Sequence, residues 1–141
     1  MNTEDFVTYE QSITLKKLGF NEKCLFYYGP DKVLYPNYTF STDILRTTDL
    51  YRSCNDSTDD NYPIDAPTLS QTQKWLRREK RLSVEPWSCT TGEWYCTIKE
   101  LPGKLSYTHK QETNKWIDLD NFYNSYEEVL SAGITECIKL L

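Results

Sequence analysis

The sequence predicts an α+β fold: a two-layer sandwich in which three helices pack on one face of a mainly antiparallel sheet. Three observations lead to this prediction. Three S/T-x-x-E/Q patterns, which begin at Thr8, Thr68 and Ser125, are interpreted as helix N-termini. Between the second and the third of them, apolar residues alternate in two short runs that are joined by a glycine-containing turn, as in an antiparallel hairpin. Because a two-stranded hairpin is only marginally stable alone, a neighbouring helix has to cover its apolar face.

Length and composition limit the classes of protein to consider. A chain of 141 residues fits a single domain that needs neither disulfides nor a metal to fold. Aromatic residues make up 14% of it, so much of the core is expected to be aromatic. The net charge of −5 disfavours a general nucleic-acid or membrane-surface binder, because phosphate affinity depends on accumulated Lys and Arg.

The lack of a recognisable signal peptide or membrane span, together with the cysteine usage, predicts a cytosolic protein. No apolar run approaches the roughly 18 residues needed to cross a bilayer, and the first residues, MNTEDFVTYEQ, lack the basic and apolar parts of a signal peptide. The five cysteines contain no C-x-x-C pair. In a reducing cytosol we expect free thiols that behave as small hydrophobic residues.

The first elements are a short helix and two strands. Thr8-Tyr9-Glu10-Gln11 forms a capping box that opens the helix, and Gly19 can end it. The apolar run at 24–28 predicts a strand, and residues 33–40 predict a second short one.

Residues 41–66 show no sustained period and are interpreted as a long acidic loop or an insertion. This stretch contains six Asp residues and only two Arg residues. A calcium-binding EF-hand loop starting at Asp56 would need Gly at position 6 and Glu at position 12, where this chain has Asn61 and Pro67. No metal site is therefore expected.

Residues 67–141 are predicted to form a helix–hairpin–strand–helix core. A capping box at Thr68 opens a helix over 69–81, with an apolar side of Leu69, Thr72, Trp75, Leu76 and Glu79. The opposite side carries Lys74, Arg77, Arg78 and Arg81. Two alternating runs then predict strands around Leu82–Glu85 and Trp94–Lys99, and short strands are expected at 105–109 and 115–119.

The last helix begins at a third capping box, Ser125-Tyr126-Glu127-Glu128. Its apolar stripe consists of Tyr126, Leu130, Gly133, Ile134, Cys137, Ile138 and Leu141. Glycine costs about 1 kcal/mol in a helix interior relative to alanine. We therefore expect Gly133 to allow a strand or an aromatic ring to pack close to the helix.

Three blocks of the chain resemble a family of small uncharacterised proteins that recur in gut anaerobic bacteria, their prophages and their phages. The blocks read QSITLKKLGFNEKCLFYYG, DAPTLSQTQKWLRREKRLSVE and YNSYEEVLSAGITECIKLL, and they cover about half of the chain. The resemblance brings no known activity, cofactor or catalytic residue. It implies a phage or mobile-element accessory protein that acts in the bacterial cytoplasm.

Patterns that would indicate an enzyme have structural explanations. The only histidine, His109, lies in a polar stretch with no spacing that places a thiol beside it. Glu127 and Glu128 occupy the first turn of a helix, where the helix dipole favours anions, and Asp118 and Asp120 flank a strand end. No G-x-G-x-x-G or P-loop pattern occurs. We expect no enzymatic activity and no cofactor.

The candidate functional residues are the basic helix face, Lys74, Arg77, Arg78 and Arg81, and the outer aromatic residues Trp87 and Tyr95. Further aromatic residues expected near the outer face are Tyr107, Trp116, Phe122 and Tyr123. Because interfaces are rich in Trp, Tyr and Arg, the hypothesis is a non-enzymatic module that binds a protein partner. The alternatives are nucleic-acid binding through the same cations and a minor structural role in a virion. The element order from residue 67 onward is shared with double-stranded-RNA-binding domains, but those place lysines where this chain has Glu127 and Glu128.

Overall fold

A computed structural model describes residues 3–37, 63–101, 116–119 and 121–141. These residues contain three α-helices and six strands in two small antiparallel sheets, which confirms the α+β class. The chain forms two compact units: residues 6–68 make one, and residues 1–5 with 69–141 make the other. The strands are thus divided between two sheets, where the sequence predicted one.

The unit 6–68 begins with helix α1, Tyr9–Lys17, and its predicted capping box is confirmed. Thr8 Oγ1 accepts the Gln11 N–H at 3.1 Å, and Gln11 Oε1 accepts the Thr8 N–H at 2.8 Å. The two bonds satisfy amides that no helical carbonyl can reach. After the helix, Gly19 has a φ of +94°, a left-handed value that favours glycine, so the chain turns away where the sequence predicted.

Three short strands form the sheet of this unit, and the first of them along the chain lies between the other two. They are β1, Phe26–Tyr28; β2, Leu34–Pro36; and β3, Ile64–Asp65. Tyr27 lies opposite Tyr35 on one side and opposite Asp65 on the other. The buried strand β3 lies inside 41–66, which the sequence analysis interpreted as a long acidic loop or an insertion without a period of its own. A two-residue strand is too short to show a period, and its pairing with β1 gives the first three strands a sheet of their own.

A buried tyrosine fixes the start of α1 to this sheet. The Tyr28 hydroxyl donates to the carbonyl of Val7 at 2.6 Å. Burial, with a smaller contribution from the carboxylate of Glu10, raises the pKa of Tyr28. Next to it Phe6 packs edge-on against Phe26, with 5.0 Å between the ring centroids.

The other unit contains a hairpin and the long helix. Strands β4, Leu82–Ser88, and β5, Trp94–Glu100, are joined by a turn over 89–93, and β6, Trp116–Asp118, pairs with β5 on its other side. Helix α3, Tyr126–Lys139, packs across β4 and β5. This gives the unit two layers, with Val84, Cys96 and Ile98 buried beneath the helix.

Gly133 allows that packing to be unusually close. A Cβ atom at Gly133 would lie 2.5 Å from Cys96 Sγ and 2.5 Å from Val84 Cγ1. No side chain fits in that space without moving the helix or the strands, so the predicted role of this glycine is confirmed.

The N-terminus of α3 is capped by Ser125 Oγ, which accepts the Glu128 N–H at 3.1 Å. The Glu128 side chain accepts the Asn124 N–H rather than completing the predicted box.

The predicted helix over 69–81 is interrupted by a change of helix type. Helix α2 spans Leu69–Trp75 and continues as π-helix over Leu76–Lys80. The wider π-helical turn takes Glu79 off the apolar side on which an unbroken α-helix would place it, and Glu79 is exposed. Arg81 lies outside the helix: its φ of +58° is left-handed, and its N–H donates to the carbonyl of Leu76.

The outer edge of β4 is protected by α2 and by a proline. Gln73 Nε2 donates to the carbonyl of Val84 at 2.6 Å, so a helix side chain occupies a hydrogen-bonding position of the strand edge. Pro86 has no N–H to offer at that edge. Both features discourage another strand from pairing there.

Several predictions lie outside the described residues: the strand at 105–109 with Tyr107 and His109, Cys54, and all of 41–66 except its last four residues. Within the described ranges, no helix is long and apolar enough to cross a membrane.

Candidate interaction surface

Strand alternation gives the hairpin sheet two distinct faces. Val84 and Cys96 face α3, since both lie against Gly133. Residues one position away along each strand point to the opposite side of the sheet. Trp87 and Tyr95 therefore lie on the face turned away from α3, as the sequence predicted.

Three aromatic rings form a cluster on that outer face. We call this cluster the aromatic face, and it consists of Trp87, Tyr95 and Phe122. Trp87 lies directly opposite Tyr95 in the strand register. Their rings are nearly parallel, with centroids 6.4 Å apart and 17° between the planes. Phe122 packs edge-on against Tyr95 at 6.4 Å. The side chains of Trp87 and Phe122 remain 49% and 61% exposed, so the cluster is open to solvent.

Backbone hydrogen bonds hold the segment that carries Phe122 against β5. The Leu119 N–H donates to the carbonyl of Cys96 at 2.9 Å, and Trp94 and Tyr123 exchange two bonds of 2.8 Å each. Phe122 is thus fixed between two attachment points. The sequence places it among the outer aromatic residues but not among the partner-binding ones, because its distance from Tyr95 depends on how the chain returns to β5 after β6.

A row of polar side chains borders the aromatic face. We call this row the acidic row, and it consists of Glu85, Thr97 and Asp118. The register places Thr97 between Glu85 of β4 and Asp118 of β6, one step along the strands from the Trp87–Tyr95 pair. Thr97 Oγ1 donates to Asp118 Oδ1 at 2.8 Å, and Ser83 Oγ donates to Glu85 Oε1 at 3.2 Å. One oxygen of each carboxylate is therefore held in place. The sequence did not assign these residues to a site, although the alternation places Glu85 on the same face as Trp87.

The basic helix face is less uniform than an unbroken α-helix would make it. Lys74 and Arg77 are exposed. Arg78 pairs with Glu79 at 3.0 Å, and that pair is about half exposed. Arg81 follows the π-helix in a left-handed conformation, so it does not continue the row of cations. The predicted spacing of four cations on one face is thus wrong for Arg81.

The predicted residues fall in two places. Trp87 and Tyr95 stack on each other, whereas Arg81 lies six residues before Trp87, at the other end of β4. At about 3.3 Å per residue the two backbones are about 20 Å apart. Among the predicted candidate residues, Trp87 and Tyr95 of the aromatic face are the two whose rings the fold stacks on each other.

The side chains of this unit differ in the chemistry that they can offer. Among the described residues no group of three His, Cys, Asp or Glu side chains could hold a metal ion. Burial raises the pKa of the Cys96 thiol to about 11 and that of Cys137 to about 12, so both are protonated and poor nucleophiles near neutral pH. The aromatic face can bury apolar area, and the acidic row can accept hydrogen bonds.

Comparison of the chain with protein-family models, with curated proteins and with solved structures finds no match.

Proposed function

We propose that this protein is a non-enzymatic protein–protein interaction module, encoded by a phage or mobile element and acting in the bacterial cytoplasm. The aromatic face is the observation that supports the proposal. Trp87 is 49% exposed and Phe122 61% exposed, although each carries a large apolar ring. Rings of this kind are enriched at protein interfaces, where they dominate the energy of binding.

The arrangement of the rings supports binding more than core packing. The inner face of the same sheet is already covered by α3, so the aromatic face is not needed for that core. The stacked pair and the edge-on Phe122 hold one another in place, and a preorganised surface loses little side-chain entropy when a partner binds. The phage origin rests on the resemblance of the three sequence blocks given above.

The proposal is tested by affinity capture from lysate of the bacterial host, infected and uninfected, with and without nuclease. The bait is the wild-type chain beside Trp87→Ser. The control is Val33→Ser, which removes an apolar side chain that is 50% exposed in the other compact unit, against 49% for Trp87. We expect a discrete protein that survives nuclease, is lost with Trp87→Ser and is kept with Val33→Ser.

Two further results distinguish protein binding from nucleic-acid binding, the rival function. If Arg77→Glu plus Arg78→Glu abolishes capture, and nuclease does the same, the chain binds nucleic acid and the proposal is wrong. Affinity carried by phosphate contacts falls steeply with salt, whereas an aromatic interface is nearly indifferent to it. Recovery in a fixed ratio with purified particles would indicate the virion role instead.

A further inference from the structure

We propose that the aromatic face and the acidic row together bind an extended cationic peptide segment, in which an apolar residue lies two positions from an arginine. This inference rests on the proposed interaction function and names the chemistry of the partner. It follows from three features of the outer face: the spacing of its rows, the charge of the acidic row and the position of Lys99.

The spacing of the rows matches an extended peptide. Trp87 and Glu85 are two positions apart on β4, as are Tyr95 and Thr97 on β5, so the two rows lie about 6.6–6.8 Å apart. An extended peptide presents its own residues i and i+2 on one side at the same interval. One ligand side chain can then rest on the rings while the next side chain of the same face reaches the acidic row.

The charge of the acidic row selects a cation. Glu85 and Asp118 lie on the strands to either side of β5, and each accepts one hydrogen bond through one carboxylate oxygen. Within the part of the chain that the structure describes, the second oxygen of each has no donor. Glu85 lies two positions from the exposed Trp87 on β4, so a guanidinium can form charge-assisted bonds to the acidic row while its flat face stacks on the aromatic face. The same carboxylates repel phosphate, which disfavours nucleic acid here.

Arginine fits this row better than lysine does. A guanidinium presents several donors in a fixed plane, and it can meet acceptors on both sides of the central strand. An ammonium is a compact charge that is more strongly hydrated and reaches fewer of them.

Lys99 sets the limit of the binding motif. It is the next residue of β5 on the outer face after Thr97, one row beyond Glu85 and Asp118. A second basic side chain two positions past the arginine would meet this like charge. We therefore expect selected ligands to carry an apolar residue, any residue and then arginine, in either chain direction, and to lack Lys or Arg at the position facing Lys99.

The test is a selection from random nine-residue peptides displayed for binding to the wild-type chain, followed by affinity measurement on the best synthetic peptide. We expect enrichment of an apolar residue two positions from arginine. Glu85→Gln plus Asp118→Asn should weaken that peptide at least about fivefold, and Arg to Lys in the peptide at least about threefold, since exposed charge pairs contribute modestly. The control, Glu79→Gln plus Glu136→Gln, removes the same charge from the two carboxylates that pair with Arg78 and Lys139, and it should change affinity less than about twofold.

The possible outcomes separate this inference from the function on which it rests. Peptides that lose binding to Trp87→Ser but are unaffected by the double neutralisation refute the cationic ligand and leave the aromatic interface standing. Enriched peptides without a basic residue do the same. Peptides that bind all variants equally, or a selection that enriches no sequence, contradict both. Urea unfolding of each variant confirms that the surface remains folded.

Discussion

Replacing Gly133 with alanine is expected to destabilise the protein, although alanine is the better helix former. In an open helix this change stabilises by roughly 0.5–1 kcal/mol. Here the added Cβ would lie 2.5 Å from Cys96 Sγ and 2.5 Å from Val84 Cγ1. Ordinary carbon contacts lie at about 3.5–4.0 Å, so both neighbours or the whole helix must move by about 1 Å.

The size of the effect follows from the rigidity of those neighbours. Cys96 and Val84 are fully buried on adjacent strands, so neither side chain has free space to move into. Overpacking a well-packed core costs about 1–3 kcal/mol. After the gain in helix propensity is subtracted, we expect Gly133→Ala to lower the free energy of unfolding by about 1–2 kcal/mol. With a urea dependence of about 1–2 kcal/mol per molar, the midpoint should fall by roughly 1 M.

Urea unfolding followed by tryptophan fluorescence measures this change. Ala132→Gly, in the adjacent helical position, measures the cost of a glycine in this helix, about 1 kcal/mol of destabilisation. Adding Cys96→Ala to Gly133→Ala removes one of the two clashes, and the double variant should be more stable than the sum of the single effects by about 0.5 kcal/mol or more. A higher urea midpoint for Gly133→Ala than for wild type would refute the close packing described here.

Three further outcomes are expected from the same unfolding assay. Thr8→Ala removes the hydroxyl of the capping box and should lower the free energy of unfolding by about 1 kcal/mol; an unchanged midpoint would contradict a role for the cap. Tyr28→Phe leaves the buried carbonyl of Val7 without its donor and should cost about 1–3 kcal/mol, and a cost near zero would mean that water reaches this carbonyl. The folded thiols of Cys96 and Cys137 keep their protons to about pH 11 and 12, above their ordinary pKa of 9.0. Stability should therefore be unaffected by these thiols below pH 9 and fall by up to about 1.4 kcal/mol per pH unit for each thiol as pH rises above it, and Cys137→Ala should reduce that slope.

Local chemistry explains the elements that the sequence predicted well. The Thr8 capping box, the left-handed Gly19 and the two alternating runs of the hairpin are all recognised from neighbouring residues. The cap is stabilised by groups three positions apart in the chain, and the hairpin pairs residues six to 18 positions apart. The close approach at Gly133 was predictable for a related reason: a glycine in the middle of an apolar helix stripe needs a packing explanation.

The elements that differ depend on distant parts of the chain. Strand β3 has two residues, and it is defined by its pairing with β1 rather than by any pattern of its own. The π-helix over Leu76–Lys80 is composed of residues that an α-helix accepts, so the composition gives no signal for it. The wider turn then moves Glu79 and Arg81 away from the positions that a period of 3.6 assigns to them.

The candidate surface also contains residues that the sequence pattern places and residues that only the distant contacts place. The alternation of the hairpin places Trp87, Tyr95 and Glu85 on one face, and this can be read from the sequence alone. The contribution of Phe122 cannot, because it depends on the bonds that return residues 119–123 to β5. Asp118 joins the acidic row only through the register of β6 with β5.

We propose that a protein partner binds at the aromatic face, and site-specific photo-crosslinking can locate that contact. A benzophenone amino acid is placed at position 122, within the aromatic face, and in a separate chain at position 33, an exposed apolar position of the other compact unit. Each chain is irradiated in lysate of the bacterial host after nuclease treatment. We expect a discrete adduct of higher mass from position 122 that is absent from position 33 and is lost when Trp87→Ser is added. No adduct from position 122, or the same adducts from both positions, would contradict it.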